Sequence, residues 1–404
     1  MKRYLLMLGL VSGTLLGACG GGDSSPAPEP VGDTCNITVS DSQPGLTADG
    51  RIRSHTNCST YQAIANVRKD GAGNDISIDY MVHNPTGSAR ALLVLIAGGD
   101  ADAKIEGDNG VGQPATRSSG NFLVRSAHLF AAQGYKVVTI DRPSDFTATP
   151  SYDDYRTSSR HAVDISAIIN KENTANLPVV IAGTSRGAIS AVAQSKLADA
   201  ITLSSPVTTG GGTPVSEGSG IPHLRPSSVT AIPVHVMWHL NDECTLYSPP
   251  AGSQSLADAF NPSAAISTPN GGFNATDYGI CNGNSFHGFY GMETRAVNAT
   301  ALWINSRTFP TSKPVANSGS LTYATATEAD GENISGFASA SVGGGLTFSL
   351  PIGTTSLGGT VTLNGTNVYY IPPGGVNSTT DSFVYVVSEA GGGKSHNVFT
   401  IAIP

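Results

Sequence analysis

The hydrophobic positions of residues 76–306 form two alternating kinds of pattern. Short apolar runs typical of buried strands occur at 76–82, 91–96, 135–140, 178–182, 201–204 and 233–238. Apolar residues recur at helical spacing over 121–132, 158–170, 186–197, 253–260 and 293–304. Strands that are buried on both faces and joined by helices form parallel sheets. The pattern therefore predicts an α/β fold with a mostly parallel central sheet flanked by helices.

The pattern changes after Asn305. Residues 309–314 (FPTSKP) have the composition of a linker, and residues 315–404 contain short strand-type runs separated by Gly-rich turns. This spacing predicts a second, all-β sandwich domain. The segment resembles the cadherin-like or Ig-like repeats of exported bacterial proteins through four stretches: KPVAN at 313–317, GTVTL at 359–363, YIP at 370–372 and TDSFVYV at 380–386. Acidic residues are sparse there, so we predict no calcium site.

The N-terminus has the layout of a bacterial secretion signal. Two basic residues precede an apolar stretch, 4–16, that is too short to span a bilayer. Cys19 follows small residues and resembles the cysteine of a lipobox, which implies a signal peptide over 1–19 and a lipid on Cys19. The alternative is an ordinary signal peptide that contains a cysteine. Residues 20–34, rich in Gly, Ser and Pro, are expected to be a disordered tether. We therefore expect an exported lipoprotein anchored to a membrane, in the periplasm or at the cell surface.

The composition argues against one class of partner. The chain has 404 residues and a formal net charge of −8, and only 13% of its residues are charged, without any run of like charge. Nucleic-acid binding needs clustered Lys and Arg side chains to contact phosphates. We therefore expect no nucleic-acid partner, and the oligomeric state is left open.

The cysteines predict two disulfides. Of the five cysteines, four remain once Cys19 is assigned to the lipid anchor. An exported chain meets an oxidising compartment, where cysteines pair. We predict Cys35–Cys58 and Cys244–Cys281, because each pair is close in sequence. The alternative is that these thiols are free and buried.

One short motif carries the candidate nucleophile. Gly183, Ser185 and Gly187 fit the pattern G-x-S-x-G, with an apolar strand before it and helix-compatible residues after it. In that context the serine lies on a tight, strained turn that exposes its hydroxyl, and the two glycines leave room for neighbouring backbone. The alternative is an ordinary strand-to-helix turn.

A serine nucleophile needs a base, and the base needs an acid to orient it. With this motif the expected chain order is serine, acid, histidine. Asp242 lies just past the C-terminal end of the strand at 233–238, at the same edge of the sheet as the serine, and Glu243 is the second choice for the acid. His287 lies in a Gly-rich loop before the last helix and is the predicted base. The Cys244–Cys281 bridge would join the acid loop to the base loop.

Residues 76–306 resemble an α/β-hydrolase, within an expected catalytic domain of 35–308. The resemblance rests on five stretches: VLIAGG, TIDRP, AGTSRGA, VMWHLNDEC and FHGFYG. It implies acyl transfer by Ser185 with His287 as base and no metal or cofactor. The oxyanion hole would be formed by the backbone N–H groups of Arg186 and Gly99. Ala97 stands where the family frequently has a histidine.

The sequence thus predicts an exported, lipid-anchored serine hydrolase that cleaves carboxylic esters, with a small-molecule or polymeric ester as substrate. A serine peptidase of the same fold is one alternative. A surface-binding lipoprotein without catalytic activity is the other, since a fold alone does not establish activity.

Overall fold

The computed structural model describes residues 36–40, 52–56, 58–107, 114–118, 120–146, 152–209, 232–260, 262–274, 279–323 and 331–404. These ranges belong to one compact unit, Thr34–Pro404. The predicted signal peptide with Cys19, the tether 20–34 and Cys35 lie outside the described residues. No helix within the described ranges has both the length and the hydropathy needed to cross a bilayer.

A large sheet forms the centre of the α/β part. In chain order its strands and those of a smaller sheet are β1 (Asn36–Ser40), β2 (Ile52–Thr56), β3 (Ser59–Lys69), β4 (Asp75–His83), β5 (Leu92–Ile96), β6 (Ile105–Glu106), β7 (Ala115–Thr116), β8 (Lys136–Pro143), β9 (Val179–Thr184), β10 (Ala200–Ser204), β11 (Val234–Met237) and β12 (Ala265–Ser267). The central sheet has the order β12-β11-β10-β9-β5-β8-β4-β3. Neighbours from β12 to β8 are parallel, whereas β4 is antiparallel to both of its neighbours. The strands β1, β2, β7 and β6 form the smaller, antiparallel sheet.

Helices cover both faces of the central sheet. They are α1 (Phe122–Ala132), α2 (Tyr152–Thr157), α3 (Ser159–Glu172), α4 (Gly187–Ala193), α5 (Pro250–Ala259) and α6 (Glu293–Asn305). All five residues of β5 are buried, because its side chains alternate between two cores. Leu92 and Val94 belong to the core that includes α3, α4 and α5. Leu93 and Leu95 belong to the core that includes α1 and α6. The predicted α/β class is confirmed.

The register of the parallel strands brings the ends of β5, β9, β10 and β11 to one edge of the sheet. Ile96 pairs with Gly183 in β9. Ser204 pairs with both Thr184 and Met237. Loops that leave this edge can therefore combine side chains from distant parts of the sequence.

The observed elements differ from the predicted ones in several places, and α4 and β3 are two examples. The helix predicted at 186–197 ends earlier, because α4 stops at Ala193 and a separate 3₁₀ turn covers Ser195–Leu197. Strand β3 was not predicted. Most of its residues are partly or fully exposed, so they lack the apolar run that identifies a buried strand.

Apart from one 3₁₀ turn, Ser335–Phe337, the described residues of the C-terminal part contain only β-strands and the loops that join them. Its strands are β13 (Val315–Ala316), β14 (Gly319–Thr322), β15 (Glu332–Asn333), β16 (Ala338–Ser339), β17 (Leu346–Ser349), β18 (Thr360–Asn364), β19 (Asn367–Ile371), β20 (Thr379–Glu389) and β21 (Lys394–Ile403). They form sheets of the orders β14-β21-β20-β17, β15-β19-β18 and β13-β16. Phe383 and Phe399 of the first sheet share a core with Val361 and Val368 of the second. This confirms the predicted all-β C-terminal region.

Strand β20 is buried on both faces. Phe383 and Tyr385 point into the β core, while Val384 and Val386 join the core that contains α3. The C-terminal strands therefore pack on the α/β part through an apolar face. The domain boundaries 35–308, 309–314 and 315–404 remain predictions.

Candidate active site

Ser185 lies at the turn between β9 and α4 with φ of +52°. Non-Gly residues rarely adopt this left-handed conformation, which marks local strain. The turn is tightly enclosed: a Cβ on Gly183 would lie 2.2 Å from the carbonyl oxygen of Gly187, and a Cβ on Gly187 would lie 2.4 Å from that of Ile96. Only glycine fits at either position, so the backbone can bend sharply and present the serine at the sheet edge.

Asp242 and His287 are joined by a buried hydrogen bond. The Nδ1 atom of His287 lies 2.9 Å from Oδ2 of Asp242, and the side chains are 5% and 0% exposed. The other carboxylate oxygen of Asp242 accepts a hydrogen bond from the N–H of Cys244 at 2.9 Å. An ionised carboxylate accepts at both oxygens, so it fixes the N–H on Nδ1 and leaves Nε2 able to accept a proton.

A disulfide between Cys244 and Cys281 joins the loops that carry this pair, with 4.7 Å between the Cα atoms. Cys244 contacts Asp242 through its N–H, and Cys281 lines the cleft in front of Ser185. Cys58 is also disulfide-bonded, but its predicted partner, Cys35, lies outside the described residues.

The loop that carries His287 is held by backbone contacts. Ser285 Oγ donates to the carbonyl oxygen of Ile280 at 2.8 Å and accepts from the N–H of His287 at 3.2 Å. A Cβ on Gly283 would lie 1.2 Å from the carbonyl oxygen of Gly120, so the loop touches the segment before α1. These contacts limit the positions that the imidazole can take.

Arg125, from α1, bonds to both of these segments. It is 2% exposed. Its guanidinium donates to the carbonyl oxygens of Gly288 and Gly120 and forms an ion pair with Glu293 at 2.7 Å. The arginine therefore connects the histidine loop to α1 and α6.

Ser185 and His287 open onto a common cleft of about 200 Å³. Its walls are formed largely by backbone and small or polar side chains, among them Gly98, Gly99, Gly120, Asn121, Gly283 and Gly288. Four charged residues, Asp100, Asp102, Lys104 and Arg117, also line it, whereas Phe122 supplies aromatic surface. The volume is below the ~300–1,000 Å³ of drug-sized ligand pockets.

The loop after β5 carries Gly99, the predicted oxyanion-hole residue. A buried arginine, Arg156 of α2, donates to three consecutive carbonyl oxygens of this loop: Ala97 at 3.0 Å, Gly98 at 3.5 Å and Gly99 at 3.2 Å. Because a trans peptide places its C=O and N–H on opposite sides, the Gly98 carbonyl that faces Arg156 directs the N–H of Gly99 away from it. Gly98 and Gly99 line the cleft beside Ser185. Arg186, the other predicted donor, directly follows Ser185.

Glu243, the second choice for the acid, and His235, a buried histidine of β11, have other hydrogen-bond partners. Glu243 is exposed and accepts a hydrogen bond from Asn274 at 3.2 Å. His235 lies between Thr202 and Ser267, at 3.0 and 2.8 Å from their hydroxyls. None of these hydrogen bonds involves the side chain of Asp242 or of His287.

Neither Arg125 nor Arg156 was predicted from the sequence. Arg125 stands within the apolar run FLVRSAHLFAA of α1, and a charged residue in such a run is a signal of a buried, partnered side chain. Arg156 has no comparable signal. Its hydrogen bonds reach carbonyl groups 57 to 59 residues earlier in the chain.

Among the described residues, one cluster has the residue types and spacing of a possible metal site. His55, Cys58 and His83 offer ligand atoms within 4.8 Å of one another. Cys58 is disulfide-bonded, so its sulfur is not the thiolate that zinc and other soft-ligand metals bind. These residues do not fit a metal centre in this oxidation state.

The order of the central sheet and the positive-φ serine at the turn between β9 and α4 are those of the α/β-hydrolase fold. Similar solved structures include an α/β serine hydrolase without a lid from Xanthomonas campestris (13% identity, TM-score 0.40, covering 63% of this chain and 98% of that chain). A thermophilic esterase from Thermogutta terrifontis with bound butyrate is 12% identical, with a TM-score of 0.41, over 60% of this chain and 93% of that chain. A protein from Thermus thermophilus is 13% identical, with a TM-score of 0.39, over 62% and 99%. No family model and no curated protein matches the sequence.

Proposed function

We propose that this protein is an exported, lipid-anchored serine hydrolase that cleaves carboxylic esters through Ser185, His287 and Asp242. The observation that carries the proposal is the buried 2.9 Å bond between His287 and Asp242 in a cleft that also contains a serine on a strained turn. The export signal and the lipidation of Cys19 are supported by the N-terminal sequence pattern alone.

In the proposed reaction, Nε2 of His287 takes the proton from Ser185 Oγ as this oxygen attacks the ester carbonyl. The same imidazole then donates the proton to the leaving alcohol, and an acyl-serine forms. Water, deprotonated by His287, releases the carboxylic acid and restores Ser185. Asp242 holds the imidazole in the tautomer that accepts at Nε2.

Negative charge develops on the carbonyl oxygen in both tetrahedral intermediates. The N–H groups of Gly99 and Arg186 are the proposed donors to this oxygen. Arg156 acts as a positioning residue, because its hydrogen bonds to the carbonyl groups of residues 97–99 fix the direction of the Gly99 N–H.

The test of this positioning role is Arg156→Met. We expect kcat for a p-nitrophenyl ester to fall about 10- to 100-fold with little change in KM, somewhat less than the ~10²–10³-fold loss for a deleted oxyanion donor. Arg156→Lys keeps the charge but not the forked geometry of the guanidinium, so its kcat should lie between those of the wild type and of Arg156→Met. A folded Arg156→Met protein with wild-type kcat, or one altered only in KM, would contradict the assignment.

The size and lining of the cleft favour short acyl groups. A cleft of about 200 Å³ that is lined in part by Asp100, Asp102, Lys104 and Arg117 leaves little room for a long alkyl chain. A CH₂ group of that chain adds about 0.8 kcal/mol of binding free energy only when it is removed from water. We therefore expect kcat/KM to decrease from p-nitrophenyl acetate or butyrate to octanoate. A steady rise towards octanoate would contradict this prediction.

The functional assignment itself is tested with two probes on the mature protein. A fluorophosphonate should label Ser185, as located by peptide mass spectrometry, and p-nitrophenyl acetate should be hydrolysed faster than the corresponding p-nitroanilide. Labelling with turnover of the anilide alone would establish the peptidase alternative. No labelling and no turnover would favour the binding-protein alternative and overturn the proposal.

A further inference from the structure

Asn121 directly precedes α1 and lines the cleft that contains Ser185 and His287. Its backbone N–H donates to the carbonyl oxygen of Ser118 at 3.1 Å. A Cβ on Gly283, in the loop that carries His287, would lie 3.2 Å from the same nitrogen of Asn121. The backbone contacts therefore hold Asn121 in one place beside the cleft.

The side-chain amide of Asn121 bonds to α1 through its oxygen. The Oδ1 atom accepts a hydrogen bond from the N–H of Val124 at 3.3 Å, the usual contact of an asparagine that caps a helix. A backbone N–H can only donate, so the atom that faces Val124 is the oxygen and not the nitrogen. The Nδ2 group lies at the other end of the amide, and no described residue accepts a hydrogen bond from it.

This Nδ2 group approaches the part of the cleft where an ester would react. A Cβ on Gly98 would lie 3.0 Å from Cβ of Ser185 and 3.6 Å from Nδ2 of Asn121, so both side chains lie on the same side of Gly98. Glycine at this position leaves the space between them open. Gly98 directly precedes Gly99, whose N–H is a proposed oxyanion donor. In the proposed reaction the carbonyl oxygen of the ester lies against this loop, and therefore beside the amide of Asn121.

We propose that Asn121 is a third oxyanion donor, whose Nδ2 group donates a hydrogen bond to the carbonyl oxygen of the substrate as negative charge develops there. The inference rests on the proposed function, because it requires attack by Ser185 on a carbonyl group. Side-chain amides can form an oxyanion hole together with backbone N–H groups, here those of Gly99 and Arg186. The bond to Val124 already holds the amide in place, so little reorganisation is needed when the charge forms.

The test uses two variants that keep an oxygen for the N–H of Val124 but remove the amide donor, Asn121→Ser and Asn121→Asp. We expect kcat for p-nitrophenyl acetate to fall about 100-fold or more in both, the scale of a deleted oxyanion donor, with KM changed less than about threefold. Phenylboronic acid forms a negatively charged tetrahedral adduct with a catalytic serine. Its inhibition should weaken by the same factor as kcat/KM, whereas a residue that only caps α1 would leave both values unchanged.

Asn298→Asp is the matched control, because it makes the same change from amide to carboxylate in α6, at a residue that does not line the cleft. The Oδ1 atom of Asn298 accepts a hydrogen bond from Nε2 of Gln133 at 2.9 Å, and an aspartate keeps this acceptor. We expect kcat within about twofold of the wild type, since substitutions away from buried or functional contacts have small effects. Circular dichroism and thermal unfolding would show that each variant is folded.

A folded Asn121→Ser protein with wild-type kcat, or with only KM raised, would overturn the inference and leave the proposed function intact. A loss of kcat without a matching loss of boronate affinity would also overturn it, because the amide would then not contact the tetrahedral intermediate. If Asn121→Ser does not fold, Asn121→Asp decides the question. If the wild type hydrolyses neither esters nor anilides, the proposed function fails and this inference fails with it.

Discussion

Ser185→Ala is expected to reduce kcat for p-nitrophenyl acetate by roughly 10⁴- to 10⁶-fold, the scale of loss when a serine nucleophile of a triad is removed. The physical reason is that alanine has no oxygen to form the acyl-enzyme, while the cleft and the oxyanion donors remain. Residual turnover above the rate in water is expected from these remaining groups. The measurement is steady-state hydrolysis with protein purified free of other esterases.

A double variant tests whether Ser185 and His287 act together or contribute independently to the rate. His287→Ala should lose nearly as much activity as Ser185→Ala, and the double variant should lose no more than either single variant, because both residues act in one proton transfer. The fold should survive, since Ser185 is only partly buried and alanine can follow the same backbone. If Ser185→Ala retained activity within tenfold of the wild type, another residue would be the nucleophile.

The turn of residues 183–187, here called the elbow, could be predicted from the sequence because its steric constraints are local. Gly183 and Gly187 are separated from Ser185 by one residue each, and the contacts that exclude a Cβ involve the elbow itself and the neighbouring strand β5. A short motif with an apolar strand before it therefore carries nearly all of the information. The same holds for the disulfide between Cys244 and Cys281, where proximity in sequence favoured one pairing.

The arginines that hold the loops of the site, Arg125 and Arg156, could not be predicted from the sequence in this way. Arg156 reaches the loop after β5 only because α2 packs beside α4, and no spacing in the sequence encodes that approach. The two-faced burial of β20 is similar: its near-continuous apolar run predicts burial on both faces, but not that α3 covers one of them.

The acid and base loops show how the candidate site depends on tertiary contacts. The order of residues along the chain predicts that Asp242 and His287 meet at one edge of the sheet, and their 2.9 Å bond lies there. The choice between Asp242 and Glu243 could not be made from order alone, because they are adjacent. Burial separates them, because the side chain of Asp242 is fully buried, whereas Glu243 is exposed to solvent.

Asp242→Asn is expected to reduce kcat by about 10³- to 10⁴-fold, the scale seen when a triad aspartate becomes an amide. Asparagine fits the same space, and its Oδ1 can still accept the N–H of Cys244, which in the wild type lies 2.9 Å from the carboxylate. Its amide N–H₂ would then face Nδ1 of His287 as a donor. The imidazole would have to accept there and carry its proton on Nε2, so it could no longer take a proton from Ser185.

Glu243→Gln is the matched control for this prediction. It makes the same chemical change one residue away, on an exposed side chain whose described contact is with Asn274 at 3.2 Å. Because exposed polar contacts contribute little to stability, we expect kcat within about twofold of the wild type. Fluorophosphonate labelling of Ser185 should slow in Asp242→Asn and not in Glu243→Gln, since labelling also requires the serine proton to be removed. The reverse pattern, with activity lost only in Glu243→Gln, would assign the acid to Glu243 and show that the buried bond of Asp242 serves the fold rather than the reaction.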